Sequence, residues 1–439
     1  MTRTASRPVL LAALLALLAV IPAWAGNWPQ WRGPNADGVS DETGLPLKWS
    51  NDSGVLWKAA LDGPGSSSPA VCGGAVFVTT QEGDDYYLLK FDAASGRPEW
   101  KVKVGRGDTP RAPIGKKDAE QRRHQKFHPL QNLASPTPAA DGEVVIAHFG
   151  DGELASYDYA GKQLWRRNLQ DDYGTYTIWW GHANSPILYK DLVINVCMQD
   201  SLSDVPGAAS ESYLVALDKR TGERKWKTTR QTKSEAEEGD AYTTPVLWMD
   251  GGRKELVVMG GNQLDAYDPD DGRQLWHLPG LVGGRSVGGP TVGGGMAFAT
   301  RGKGGPLLAV KPQGDGELTD KSVVWTVTKD SPDSCSPVYW KGLLFTVVDA
   351  GFAQCYDAHS GELKWKKRLP GEYKASPLAA DGRVYFLNRA GVCTVVAASD
   401  KFDNLATNSL EGETNASPAA ADGRIYIRTS KALYCVGAK

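Results

Sequence analysis

The sequence predicts an all-β fold, a single β-propeller of eight blades, and three observations lead to this prediction. A hairpin phrase recurs along the chain, and a proline signature marks the start of each unit. The last unit lacks one strand, and a matching strand lies near the other end of the chain. Although 439 residues exceed the usual domain length, all-β architectures often extend this far as one domain.

The first observation is a phrase such as DAHSGELKW at residues 357–365. Each copy follows an alternating apolar run, whose period of two buries one face of a strand. The aspartate accepts hydrogen bonds from turn amides and the glycine supplies positive φ, so the phrase predicts a hairpin whose outgoing tryptophan fills the gap between sheets. The copies are Asp92/Gly96/Trp100, Asp218/Gly222/Trp226, Asp268/Gly272/Trp276, Asp357/Gly361/Trp365 and the shorter Asp158/Gly161/Trp165.

The second observation is a small residue followed by proline and an apolar strand. Eight occurrences give about 52 residues per unit, and a regular period with four strands per unit is typical of propeller blades. The pairs are Ser68-Pro69, Ser135-Pro136, Ser185-Pro186, Thr244-Pro245, Gly289-Pro290, Ser336-Pro337, Ser376-Pro377 and Ser417-Pro418.

The third observation concerns ring closure. The unit that begins at Ser417 ends after ALYCV, one strand short of a blade, and Val55–Lys58 has the character of the missing strand. We therefore expect an N-terminal strand to complete the last blade and remove exposed sheet edges. The fifth unit lacks the hairpin aspartate and the seventh lacks the tryptophan, so a ring of seven blades is the alternative.

The first 25 residues have the layout of a secretory signal. Arg3 and Arg7 precede the apolar run at 9–20, and Ala23-Trp24-Ala25 forms a small-x-small cleavage site. Because the apolar run is shorter than a membrane span, we predict export with cleavage after Ala25. The predicted parts are a signal peptide at 1–25, an N-terminal extension at 26–54 and the β-propeller at 55–439.

Charge and hydropathy restrict the partners and the compartment. Cleavage leaves 414 of the 439 residues, and the loss of Arg3 and Arg7 changes the formal charge from −2 to −4. This mild acidity argues against nucleic acid or anionic membranes as partners. No later segment reaches membrane-span length, so we expect a periplasmic or secreted protein, soluble after signal removal and monomeric.

The six cysteines form no CxxC and no adjacent pair. An even number in an oxidising compartment permits disulfides, but most of these cysteines lie in apolar strand-like runs, where the thiol packs as a small buried hydrophobe. We favour buried thiols. They are Cys72, Cys197, Cys335, Cys355, Cys393 and Cys435.

The segment from Ala216 to Trp226, ALDKRTGERKW, resembles the tryptophan-docking repeat of the quinoprotein-like propellers, the PQQ-repeat family. The segments at 28–34, 427–429 and 433–435 resemble an exported, non-dehydrogenase branch of that family, similar in repeat pattern to the BamB propellers of outer-membrane protein assembly. The resemblance implies the propeller fold over nearly the whole mature chain. The first cysteine is Cys72, so we do not expect the lipid anchor of the BamB propellers.

Enzymes of this family imply a different function. They hold pyrroloquinoline quinone over a tryptophan, often beneath a disulfide of adjacent cysteines, with a calcium ion and a catalytic aspartate. This sequence has no adjacent cysteines, and its aspartates occur mainly in repeat turns. We therefore predict no cofactor and no catalytic residue, while a PQQ-dependent dehydrogenase remains an alternative.

Residues that precede the innermost strand of a blade belong to one rim of the central channel, where propeller loops often carry function. Polar and aromatic residues at these positions would form a mouth suited to a ligand or peptide, although rim packing also explains them. A zinc site of His124 and His128 is not predicted, because Pro129 opposes the helix that this spacing needs. The candidate rim residues are His128, Asn132, Trp179, Trp180, His182, Asn184, Asp240 and Arg285.

The longest polar interruption, residues 105–132, carries seven Lys/Arg against three Asp/Glu. Such a loop is either a recruiting surface for an acidic partner or a solvated insertion. We predict a non-catalytic exported scaffold that binds an envelope protein, a peptide or a small ligand at its rim or channel. Extracellular binding or cleavage of carbohydrate, with a glycan as ligand, is a second alternative.

Overall fold

A computed structural model describes residues 26–111, 123, 125–199, 211–249, 251–300 and 305–438, so the predicted signal peptide and its cleavage site lie outside the described residues. Eight sheets, each with an antiparallel core of four strands, follow one another along the chain. The ring therefore has eight blades, and the alternative of seven is wrong. No helix in the described part of the chain is both long and apolar enough to cross a bilayer.

The first four blades have their strands in chain order from the channel outward. A short helix, Leu169–Tyr173, follows blade 2, and a 3-10 turn, Ala236–Gly239, follows blade 3. The strands are Ala70–Cys72, Ala75–Glu82, Asp85–Asp92 and Pro98–Arg106 in blade 1; Ala139–Ala140, Val144–His148, Glu153–Asp158 and Gln163–Asn168 in blade 2; Ile187–Tyr189, Leu192–Cys197, Tyr213–Asp218 and Arg224–Thr229 in blade 3; Val246–Trp248, Glu255–Gly260, Gln263–Tyr267 and Gln274–Leu278 in blade 4.

Blades 5 to 8 complete the ring. The unusual hairpin of blade 5 contains a 3-10 turn, Asp320–Ser322, and a short strand, Gly316–Glu317, that pairs in parallel with the outer strand of blade 4. The strands are Thr291–Gly293, Met296–Thr300, Leu307–Val310 and Val323–Val327 in blade 5; Val338–Trp340, Leu343–Val347, Phe352–Asp357 and Leu363–Arg368 in blade 6; Leu378–Ala380, Arg383–Leu387, Val392–Ala397 and Asn404–Ser409 in blade 7; Ala419–Ala421, Arg424–Arg428, Ala432–Val436 and Val55–Ala60 in blade 8.

The predicted closure is confirmed. Strand Val55–Ala60 is the outer strand of blade 8 and pairs antiparallel with Ala432–Val436, with Trp57 opposite Cys435 and Ala59 opposite Leu433. Since the two ends of the chain share one sheet, the ring cannot open without breaking that ladder.

The tryptophans join neighbouring blades as predicted, and the glycines of the phrase are their contact surface. A Cβ on Gly222 would lie 2.7 Å from the Trp165 ring, and one on Gly361 would lie 2.7 Å from Trp325. Several indoles also donate to the backbone carbonyl that follows a hairpin aspartate, as Trp165 does to Lys219 O at 3.0 Å, whereas Trp276 donates to the Glu255 carboxylate. The hairpin glycine is therefore required both for its positive φ and for the flat surface that it offers to an indole.

Blade 7 lacks an outer tryptophan, and the segment predicted as the N-terminal extension provides one. Trp49 is buried beside Tyr385, with ring centroids 6.4 Å apart and nearly parallel planes. A Cβ on Gly54 would lie 2.9 Å from the Trp49 side chain. The gap between blades 7 and 8 is therefore filled by an indole from outside the repeat.

All six cysteines are free and buried, as predicted. Burial raises the pKa of Cys72 and Cys435 to about 11 and that of Cys355 to about 12. These thiols remain protonated at neutral pH and are packing groups rather than nucleophiles.

Candidate functional site

The channel narrows at a ring of hydroxyl groups contributed by the proline signatures. Seven hydrogen bonds of 2.8–3.0 Å run from the backbone N–H of one blade to the hydroxyl of the next. The link from Thr244 to blade 5 is missing because Gly289 has no hydroxyl. The residues of the ring are Ser68, Thr137, Ser185, Thr244, Gly289, Ser336, Ser376 and Ser417.

The ring corrects one sequence assignment. Thr137-Pro138, and not Ser135-Pro136, occupies the signature position of blade 2, since Thr137 bonds to both neighbours and the innermost strand begins at Ala139. Two small residue–proline pairs stand in succession here, and the sequence alone does not distinguish them.

The N-terminal segment closes the channel on the side opposite the mouth. It contacts blade 1 through Trp28 and Val71, whose backbones exchange bonds of 2.7 and 2.8 Å, and blade 7 through the parallel pairing of Val39 with Ala379. Trp31 reaches the hydroxyl ring, because its indole lies 3.7 Å from a Cβ placed on Gly289. The other blades are contacted by Pro29, Gln30, Arg32, Asn35, Asp37 and Glu42.

The other end of the channel is a mouth with a cavity of about 670 Å³. Each blade contributes to it the residue two positions before its ring residue, because alternate residues of an extended chain point the same way. The intervening residues, such as Asn184 and Cys335, turn into the blades and are buried. The eight contributing residues are Ser66, Ser135, Ala183, Tyr242, Val287, Ser334, Lys374 and Asn415.

Three of the predicted rim residues, His128, Trp180 and Arg285, line this cavity. The His128 and Trp180 rings are 5.2 Å apart and roughly perpendicular, and Trp180 Nε1 donates to Glu237 Oε1 at 3.0 Å. Arg285 Nη2 lies 3.2 Å from Asp333 Oδ2. Partial burial and nearby cations lower the pKa of His128, so this imidazole is neutral at pH 7.

Two further candidates, Asn132 and Asn184, lie behind the lining. Asn132 Nδ2 donates to Ser66 Oγ at 3.3 Å, and Asn184 Nδ2 donates to Thr243 O at 2.7 Å. Asn132 thus supports the lining residue Ser66, Asn184 holds the backbone next to the lining residue Tyr242, and neither of the two lines the cavity.

The last three candidates are also buried behind the mouth. Asp240 accepts from the backbone N–H of Trp179 at 2.9 Å. His182 is enclosed between Tyr176 and His148, with ring centroids 4.5 and 5.7 Å away. These residues shape the wall from behind.

The described part of the loop at 105–132 is anchored to blades 2 and 3. Phe127 is buried, and Gln125 Nε2 donates to Gly150 O at 2.8 Å while its Oε1 accepts from His182 N at 3.0 Å. Arg111 Nη1 donates to His128 O at 2.9 Å and Gln131 O at 2.8 Å. Residues 112–122 and His124, which include three of the loop's seven Lys/Arg, lie outside the described residues, so the predicted role of the loop is not assigned.

The quinone and calcium of related enzymes do not fit the groups present here. Within the described ranges, no three His, Cys, Asp or Glu side chains are placed to hold a metal ion. Among the described residues, the cavity wall carries one carboxylate, that of Glu237, which already accepts a hydrogen bond from Trp180. We therefore derive no reaction step through the quinone.

Comparisons with known proteins agree with the propeller. A family model described as outer membrane protein assembly factor BamB matches residues 39–203, 210–333 and 316–404. No curated protein matches the chain.

Two solved structures illustrate the range of similar propellers. BamB from Moraxella catarrhalis is 13% identical with a TM-score of 0.57, over 87% of this chain and 99% of that chain. A quinohemoprotein alcohol dehydrogenase from Comamonas testosteroni is 13% identical with a TM-score of 0.65, over 94% of this chain and 81% of that chain. At this identity the likeness indicates the fold and not the activity.

Proposed function

This chain belongs to the family of the outer membrane protein assembly factor BamB, and from that premise we propose that it is an exported scaffold that binds an extended protein segment at its channel mouth. The scaffold performs no chemistry of its own and acts as a monomer in the periplasm or outside the cell. Its partner is an envelope protein, in keeping with the assembly role in the family's description.

The observation that carries this proposal is the convergence of one residue from each blade on a cavity with a closed floor. The wall combines the rings of His128, Trp180 and Tyr242 with serine hydroxyls and two cations. Aromatic side chains with nearby polar groups supply much of the energy in protein recognition. A cavity of about 670 Å³ accommodates a few residues of a peptide rather than a folded domain.

Site-specific photocrosslinking tests the proposal. A photoreactive phenylalanine analogue replaces Val287 in the mouth or, as the control, Met249, which is exposed on the opposite face. Irradiation of cells of the source organism should give a discrete protein adduct from position 287 only, attached through a short segment of the partner. Equal adducts from both positions, or a glycan attached at 287, would contradict the proposed function.

A further inference from the structure

Two cations and one hydroxyl lie side by side in the mouth, on blades 5, 6 and 7. Arg285, Ser334 and Lys374 all line the cavity. Lys374 Nζ lies 3.1 Å from Ser334 Oγ, and Arg285 contacts Asp333, the residue before Ser334. The three groups therefore lie next to one another on one stretch of the cavity wall.

The carboxylates that balance these cations are placed behind them. Asp349 Oδ2 accepts from Lys374 Nζ at 2.6 Å and from Ser334 Oγ at 2.7 Å, while Asp333 accepts from Arg285. Neither aspartate lines the cavity. The positive ends of both ion pairs consequently face the lumen.

The cations of the mouth act on His128. Besides burial, the pKa of His128 is lowered by Lys374, Arg285 and Arg111, in that order. The carboxylate of Glu237 also lines the cavity, but it belongs to the side formed by Trp180, whose indole it binds. The wall between blades 5 and 7 is therefore the part that attracts an anion.

The groups beside this wall suit the end of a peptide. Val287 and Tyr242 form an apolar surface next to Arg285, and Gly283 and Gly284 add no side chains that would fill it. On the other side, the side chain of Asn415 adds a polar amide to the cavity wall.

We propose that the mouth captures the free carboxyl end of an extended peptide, which deepens the proposed function and depends on it. The terminal carboxylate lies against Arg285, Ser334 and Lys374, where charge-assisted bonds to a guanidinium and an ammonium are strong. The last side chain packs on Val287 and Tyr242.

Two peptide pools test this proposal. Hexapeptides randomised at their last three positions are prepared as free acids and as C-terminal amides, and each pool is passed over the immobilised mature chain. We expect retention of free acids over amides by about tenfold or more, with enrichment of apolar last residues. The double variant Arg285→Gln/Lys374→Gln should abolish this preference.

A second double variant, Arg106→Gln/Lys431→Gln, is the matched control, because it removes two positive charges from exposed ion pairs and should keep the preference. Equal retention of both pools would overturn the carboxylate assignment while leaving peptide binding intact. Retention of amides rich in Asp or Glu would mean that Arg285 and Lys374 bind an acidic side chain of the peptide instead of its terminal carboxylate. Retention of neither pool would overturn peptide binding itself, and with it the proposed function.

Discussion

Trp57 Nε1 donates a hydrogen bond of 3.0 Å to the carbonyl oxygen of Ala93. Trp57 belongs to the strand that completes blade 8, and Ala93 follows the hairpin aspartate of blade 1. One indole thus joins the first and last blades at the place where the ring closes.

Loss of this indole should weaken the whole ring. Because Trp57 is buried, Trp57→Ala is expected to lower the free energy of unfolding by about 3–5 kcal/mol. Lys58→Ala on the same strand removes an exposed ion pair with Glu411 and a cation–π contact with Tyr434, and it should cost much less. Urea denaturation measures both variants, and equal values would argue against closure through Trp57.

The hairpin glycines should tolerate alanine only where no indole lies above them. Gly222 and Gly382 have φ values of +71° and +70°, but only a Cβ on Gly222 meets an indole, that of Trp165. Both alanine variants strain a backbone with positive φ, but only the new Cβ at position 222 overlaps with an indole. We therefore expect Gly222→Ala to be more destabilising than Gly382→Ala by about 1–3 kcal/mol. Thermal and urea denaturation of the two variants measure this difference. Equal stability would show that the Trp165 side chain can move to make room for the Cβ.

The stability of the fold should depend on the hydroxyl oxygens of the ring, which accept hydrogen bonds from backbone N–H groups of neighbouring blades. Ser376→Ala leaves the buried N–H of Ser336, now 3.0 Å from Ser376 Oγ, without a partner and should cost about 1–3 kcal/mol. Ser376→Thr keeps the hydroxyl and should cost less, since threonine occupies the same position in blades 2 and 4. Urea denaturation separates the two variants, and a threonine variant as unstable as the alanine variant would point to packing instead.

Acidification should destabilise the fold through two buried imidazoles. Burial lowers the pKa of His148 to about 4 and that of His182 well below its usual value. The unfolded chain takes up protons near pH 6.5, so stability falls as the pH decreases from about 6.5 towards 4. At pH 5 each histidine accounts for a loss of about 2 kcal/mol relative to neutral pH.

The comparison of His182→Phe with wild type isolates this effect. In wild type the free energy of unfolding falls between pH 7.5 and pH 5, and in His182→Phe this fall should be smaller by about 2 kcal/mol. The exposed His359→Phe serves as the control. An unchanged pH dependence in His182→Phe would mean that His182 is not held neutral in the folded protein.

The fold could be predicted from the sequence because each blade repeats its own local signals. The hairpin phrase, the proline signatures and the strand around Trp57 determined blade number and closure. The segment from Trp28 to Glu42 could not be placed, since it has no strand periodicity and its partners lie as far away as Gly423. The indole of Trp49 was missed for the same reason.

Only some of the candidate rim residues chosen from the sequence line the mouth. His128, Trp180 and Arg285 line the mouth, whereas His182 and Asn184 were chosen for their polarity and turn into the blades. Selecting the residue two positions before each ring residue would have identified the eight lining residues that the blades contribute, Lys374 included. That offset depends on recognising Thr137 as the ring residue, which the structure supplies.

The most direct test of the account is to block the mouth without disturbing the fold. Ala183→Trp places an indole in the cavity, and Met249→Trp places one on the opposite face as the control. The account predicts that Ala183→Trp keeps the wild-type Tm. Calorimetric titration with the free-acid peptides selected by the wild type should show that this variant binds them about tenfold or more weakly. Met249→Trp should bind the same peptides with wild-type affinity. Unchanged affinity in Ala183→Trp would contradict the assignment of binding to the mouth.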